Sequence, residues 1–204
     1  DEEIILDANE QFYGEKPNIN RVVVRYFADA TTMRLALERG EIDLVYKTLN
    51  PSDIKDLQQK ANINTFEMEG PYIRYLCYET SESVFKDNRV RQAVGALIDR
   101  PDIMKKVFLN QNSPLYSMVP MGMKFHTDYF KDELGDGNLD LANKLFKEAG
   151  YSPDNPFKFT LWYTPSHYGD TEVDMAEVLR VQFEKSDYVD VSLKSAEWST
   201  YLDQ

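Results

Sequence analysis

Strand-like and helix-like periods alternate along this chain from Arg21 to Leu202, and that alternation constrains its fold more than any other feature. Arg21 to Phe27 places Val22, Val24 and Tyr26 on one side and Val23, Arg25 and Phe27 on the other, a β-branched and aromatic run that suits a strand with at least one buried face. Asp29 can cap a helix with Met33, Ala36 and Leu37 at helical spacing, and Gly40 supplies the left-handed residue that ends it. A strand over Ile42 to Tyr46 follows. A second helix starts with Asn50 as cap and Pro51 at its first position, where a missing N–H costs nothing, and turns Ile54 and Leu57 inward.

Strands are expected over Ile63 to Met68 and Tyr72 to Glu79, with Gly70-Pro71 between them as the natural place for the chain to change direction or lobe. Asp87 can cap a helix bearing Val90, Val94, Leu97 and Ile98, and Pro101 opens a shorter one with Ile103, Val107 and Phe108. Residues 110–136 show no period. They mix Pro114, Pro120 and Gly122 with Tyr116, Met118, Met121, Met123 and Phe125, which reads as a long loop too apolar to be merely solvated. Leu141, Leu145, Phe146 and Ala149, closed by Gly150, mark a helix, and Phe157 to Tyr163 is the best strand of the second half. A helix from about Asp170 to Lys185, a strand Val189 to Leu193 and a helix start at Glu197 complete the pattern. The chain stops within that last apolar face, as a truncated chain does. The alternation predicts an α/β fold with mixed or largely parallel sheets.

Charge and composition exclude whole function classes. With 35 acidic and 23 basic residues the formal net charge is −12, so the long-range field repels polyanions and nucleic acid is not an expected partner. No apolar run approaches the roughly 20 residues needed to cross a bilayer. Asp1-Glu2-Glu3 is not the start of a signal peptide, so an export signal would lie outside this chain. Nucleotide-cradling glycine motifs, H-E-x-x-H, paired C-x-x-C and G-x-S-x-G are all absent. Two histidines, His126 and His167, offer no histidine-rich metal site, and the single cysteine, Cys77, cannot form an intrachain disulfide. Neither a metal nor a cofactor is expected.

The carboxylates Glu67 and Glu69 share a strand face but read as solvated edge residues, and Cys77, between bulky neighbours, reads as a small buried thiol. Arg89 and Arg91, close to Asp87 and Asp99, read as structural ion-pair residues. What stands out is aromatic content: 13 Tyr and 11 Phe, concentrated at Tyr72, Tyr75 and Tyr78 and again at Trp162, Tyr163 and Tyr168. Such side chains serve cores, and they also serve recognition clefts, where they provide area and a polar tip.

Several segments in order resemble one family. Ile4-Ile5-Leu6-Asp7-Ala8-Asn9-Glu10-Gln11-Phe12-Tyr13-Gly14 is similar to its strand followed by an Asn-x-x-Tyr-Trp-Gly turn, and Gly40-Glu41-Ile42-Asp43 to its S-G-E-I-D element. Phe85-Lys86-Asp87-Asn88-Arg89-Val90-Arg91 with Ile98-Asp99-Arg100 resembles its most recognisable signature. Ala142-Asn143-Lys144-Leu145-Phe146-Lys147-Glu148-Ala149-Gly150-Tyr151 resembles the A-x-x-L-L-x-E-A-G-[YF] helix, and Val191-Ser192-Leu193 to Glu197-Trp198 the V-x-L…E-W element. The family is that of the oligopeptide-, dipeptide- and nickel-binding proteins of ABC importers, extracellular solute-binding protein family 5, and the resemblance covers nearly the whole chain.

The resemblance implies an internal fragment of a periplasmic-binding-protein-like (class II) fold, with α/β lobes and mixed sheets. Residues 1–71 would be part of the first lobe, ending at a crossover, and residues 72–204 part of the second ligand-binding lobe, truncated at its C-terminus. It further implies a monomeric binder of a peptide or other small solute, not an enzyme, working with an ABC transporter permease and located in the periplasm or on the cell surface. By family position the cleft candidates are Tyr75, Cys77 and Glu79 on the crossover strand, with Tyr163 and His167 at the end of the strand before the long helix. A ligand-sensing receptor domain and a carboxylate-dependent peptide hydrolase are the alternatives.

Overall fold

The computed structural model describes residues 3–46, 49–68, 70–81, 83–165 and 167–203; Glu69 lies outside them. The chain forms two compact units, Asp1–Leu49 and Asn50–Gln204.

In the first unit β1 (Glu3–Asp7) pairs antiparallel with β2 (Arg21–Arg25), with Ile4 opposite Val24 and Leu6 opposite Val22. The ladder is fastened at one end by Arg21 Nε donating to Asp7 Oδ1 at 2.6 Å. Helix α1 (Ala30–Glu38) begins where Asp29 accepts from the Thr32 N–H at 2.8 Å, and the chain leaves it through Gly40 at φ +70°. The expected buried strand face does not occur: all ten strand residues are exposed, and Ala36 is the buried residue of α1. Apolar side chains alternate to both sides of a two-stranded ribbon, and one short helix cannot cover them. Ile42 to Tyr46 is likewise not a strand.

The second unit has a real core. Helix α2 (Pro51–Leu57) turns Leu57 inward, and its cap residue Asn50 makes no side-chain cap bond, donating instead to Asp170 Oδ2 at 3.1 Å. After a short 3-10 turn, Val84–Lys86, come α3 (Asn88–Leu97), capped by Asp87 as its position predicts, and α4 (Arg100–Lys106), which Asp99 caps. Val90, Ala93, Val94 and Leu97 form the buried stripe of α3. Inside the segment without a period lies a further helix, α5 (Tyr129–Leu134), which none of its six residues buries fully. Tyr116 anchors that segment: it is buried and its hydroxyl donates to Asp136 Oδ2 at 2.7 Å.

Helix α6 (Leu139–Glu148) exits through Gly150, at φ +95°, and packs on α3. Strand β3 (Phe157–Tyr163), helix α7 (Thr171–Phe183) and strand β4 (Val189–Ser195) form a β-α-β unit. The strands are parallel, in register from Phe157 opposite Val189 to Tyr163 opposite Ser195. Helix α8 (Trp198–Tyr201) follows. Phe157 and Phe183 are fully buried, and the fully buried Gln182 is satisfied by the main chain of Asp99 on both of its amide atoms, at 3.0 Å each.

Two further expected strands are corrected. Residues 63–68 and 72–79 join no ladder among the described residues. Apolar alternation gives a segment its faces, but strand hydrogen bonds need a partner edge. In 72–79 the faces survive without the ladder: Leu76 and Tyr78 pack on the core, while Tyr75, Cys77 and Glu79 point outward. Phe66 and Met68 are almost fully exposed.

Candidate functional site

Because β3 and β4 are parallel, both deliver their C-terminal ends to one edge, where ligands of α/β proteins are bound. The Ala196 N–H donates to the Tyr163 carbonyl at 3.1 Å, so the two strand exits stay together. The loop after β3 carries His167 and Tyr168, and the turn after β4 carries Trp198.

These residues meet as an aromatic wall. The His167 imidazole lies flat on the Trp198 indole, centroids 3.8 Å apart and planes within 3°. Tyr168 stands edge-on to both, at 4.7 Å from His167 and 5.5 Å from Trp198, and Tyr201 lies near-parallel to Trp198 at 5.8 Å. Burial pushes the Tyr201 phenol above its usual range, and its neighbours Tyr168, Glu172, Cys77 and Tyr75 push in the same direction. Residues 72–79 reach this loop through Arg74, whose Nη2 donates to the Tyr168 carbonyl at 3.2 Å. Tyr168 is 50% exposed and Tyr75 64% exposed, which is the state of side chains available to a ligand.

Of the five residues expected in the cleft, His167 lies in this wall, and Tyr75 and Cys77 face outward on the segment that Arg74 ties to the Tyr168 loop. Tyr163 ends β3 half-buried, and the hydroxyl of its neighbour Thr164 is buried with no hydrogen-bond partner among the described residues. Glu79 instead organises its own turn, accepting from the Ser81 N–H at 2.6 Å and from the Ser81 hydroxyl. The buried thiol expected at Cys77 is corrected: Cys77 is exposed, because the alternation of 72–79 gives the core to Leu76 and Tyr78. Tyr78 is the buried member, its phenol pushed up to about 12 by burial and its ring against Phe85 at 4.9 Å.

Sequence reasoning missed Trp198 and Tyr201, which read only as an unfinished apolar helix face, and it missed the ion pair between Arg74 and Glu172. Trp198 was within reach, since it sits in the E-W element of the resemblance, and Tyr168 adjoins His167. Arg89 pairs with Asp87 at 2.6 Å as expected, but Arg91 donates to the main-chain carbonyls of Phe85 and Lys86, at 2.6 and 2.9 Å. Among the described residues no three His, Cys, Asp or Glu side chains are grouped to hold a metal, and no helix is long and apolar enough to cross a membrane.

The mixed α/β chain has the fold of class II periplasmic binding proteins. The ABC transporter-associated periplasmic binding protein DppA from Helicobacter pylori, in complex with peptide STSA, superposes with a TM-score of 0.79 at 28% identity, over 99% of this chain and 38% of that one. The chain belongs to the bacterial extracellular solute-binding proteins, family 5 Middle, whose family model matches residues 1–204. It is 29% identical over 204 residues to the dipeptide-binding protein of Escherichia coli (strain K12) and 31% identical over 209 residues to the periplasmic oligopeptide-binding protein OppA of Salmonella typhimurium. Each match takes in 99% of this chain and 37% of the relative, so the chain spans little more than a third of those proteins' length.

Proposed function

We propose that this chain is part of the substrate-binding component of an ABC importer, which captures oligopeptides or similar solutes outside the cytoplasm and delivers them to a membrane permease. Residues up to about Pro71 belong to one lobe and those from Tyr72 to the other, with the crossover at Gly70-Pro71. Tyr75, Cys77 and Glu79 on the crossover segment, and Tyr163 and His167 beyond β3, are its ligand-facing candidates, and Trp198 and Tyr201 extend them. Binding breaks no bond: aromatic faces supply area, and closure excludes water so that a few polar contacts carry affinity.

The single observation that carries this reading is the wall of His167, Tyr168, Trp198 and Tyr201 set beside the outward face of Tyr75 and Cys77. It is a concentration of aromatic surface that the core does not use. The names of the relatives, dipeptide- and oligopeptide-binding, support the choice of peptide.

The test is calorimetric titration of a pool of synthetic tripeptides into the full-length protein, with the 204-residue chain run in parallel. Saturable heat with the full-length protein and none with this chain alone is the expected result. Absence of heat from both would remove peptides as the ligand.

A further inference from the structure

One side chain at this site belongs to neither the aromatic wall nor the core, and it touches three separate parts of the second unit. Arg74 Nη1 pairs with the Glu172 carboxylate in the first turn of α7, and Arg74 Nη2 donates to the Tyr168 carbonyl at 3.2 Å. Its guanidinium also lies over the ring of Phe108, 5.3 Å from the centroid, just beyond α4. Glu172 is 9% exposed, so the carboxylate it meets has been taken largely out of water. The partners stand 34, 94 and 98 residues away in sequence, and each contact uses a different part of the planar fork.

We propose that Arg74 is a positioning residue of the candidate site, a clasp that holds the Tyr168 loop and the start of α7 against residues 72–79 and so keeps the His167–Trp198 stack beside Tyr75 and Cys77. The proposal rests on the reading of this wall as the ligand-binding surface. Both ends of the guanidinium and its face are already engaged within the protein, so Arg74 acts through its neighbours and not by gripping ligand. Removing it leaves Glu172 as a buried carboxyl without its counter-charge, which must then take up a proton or draw the loop open to reach water, and either breaks the hold on the loop. Glu172 N–H donates to the Gly169 carbonyl at 3.2 Å, which makes the loop and the helix start move as one piece.

The test uses full-length protein labelled with 5-fluorotryptophan, with the Trp198 and Trp162 signals assigned by their loss in W198F and W162F. R74M and E172Q are each expected to shift the Trp198 fluorine signal and to leave that of Trp162, on β3, in place. Each is also expected to weaken apparent affinity for the tripeptide pool about tenfold, and the double variant to be no worse than either single one, as for residues acting through one contact network. A Trp198 signal unmoved in both variants would overturn the clasp. Shifted signals in the variants, with a wild-type protein that takes up no tripeptide, would instead overturn the peptide reading and leave the clasp standing. If R74M does not fold, E172Q, which keeps the shape of the side chain, carries the measurement.

Discussion

The ring of Phe157, at the start of β3, lies over that of Phe146 in α6, with centroids 5.6 Å apart and planes 24° apart. Both side chains are fully buried, and Tyr151, Phe159 and Phe85 complete the cluster around Phe157 at 5.2 to 5.3 Å. This cluster joins the helix layer to the parallel strands. Either F146A or F157A removes apolar surface and leaves a cavity that close-packed neighbours fill poorly, so each is expected to cost about 3–5 kcal/mol. Urea denaturation of the full-length protein, read by circular dichroism, checks this through the transition midpoint.

The cap of α3 predicts an acid-side effect. Asp87 accepts from the Arg89 N–H at 2.9 Å and from the Arg89 guanidinium, and these hydrogen bonds hold its carboxyl below the ordinary 3.8. A depressed carboxyl contributes stability that is present above 3.8 and is lost as pH falls through the lower folded value. D87A is expected to cost about 1 kcal/mol at neutral pH through the lost cap. It should also flatten the acid limb of a thermal-melting profile taken from pH 5 downward; an unchanged limb would count against Asp87 as its source.

Glu172 predicts the opposite slope. Burial raises its carboxyl above the ordinary 4.5, outweighing the nearby Arg74, which lowers it. A raised acid binds more protons folded than unfolded, so its contribution is fully present below 4.5 and is lost as pH rises through the raised value. E172Q cannot titrate. Its melting temperature is expected to fall less than that of the wild type across the pH window just above 4.5, and differential scanning calorimetry in matched buffers measures the difference.

The wall itself predicts a binding loss. Trp198 is the ring on which His167, Tyr168 and Tyr201 all rest, so W198A removes an aromatic anchor and the support of the others. A loss of about tenfold or more in affinity for the tripeptide pool is expected, the size typical of a central aromatic contact. The exposed thiol of Cys77 gives an independent readout. In the full-length protein it should react with a maleimide when ligand-free and be protected at saturating tripeptide, as mass spectrometry of timed samples would show.

Local signals made much of the helical structure legible from the residues alone. Asp29 and Asp87 cap α1 and α3 where their side chains stand before apolar stripes, and Gly40 and Gly150 take the left-handed backbone that ends α1 and α6. These are decided within one or two helical turns, so sequence carries them. The strands Ile42 to Tyr46, Ile63 to Met68 and Tyr72 to Glu79 failed for the complementary reason: a ladder is a relation between two segments, and periodicity states only which side of a segment is apolar. Residues 75–79 show the distinction, alternating outward and core-facing side chains while lacking the bonds.

The same division runs through the candidate site. Tyr75, Cys77, Glu79, Tyr163 and His167 are named as candidates from their place in the family pattern alone. That Trp198 would receive His167 face to face, and that Arg74 would reach Glu172 and Tyr168, depended on two parallel strands ending at one edge and on a side chain spanning almost a hundred residues of sequence. Stacking and ion pairing act over a few ångströms in space and carry no sequence period, so capping and helix faces were settled by the sequence, while the stacked wall and the contacts of Arg74 were settled only when the chain was packed.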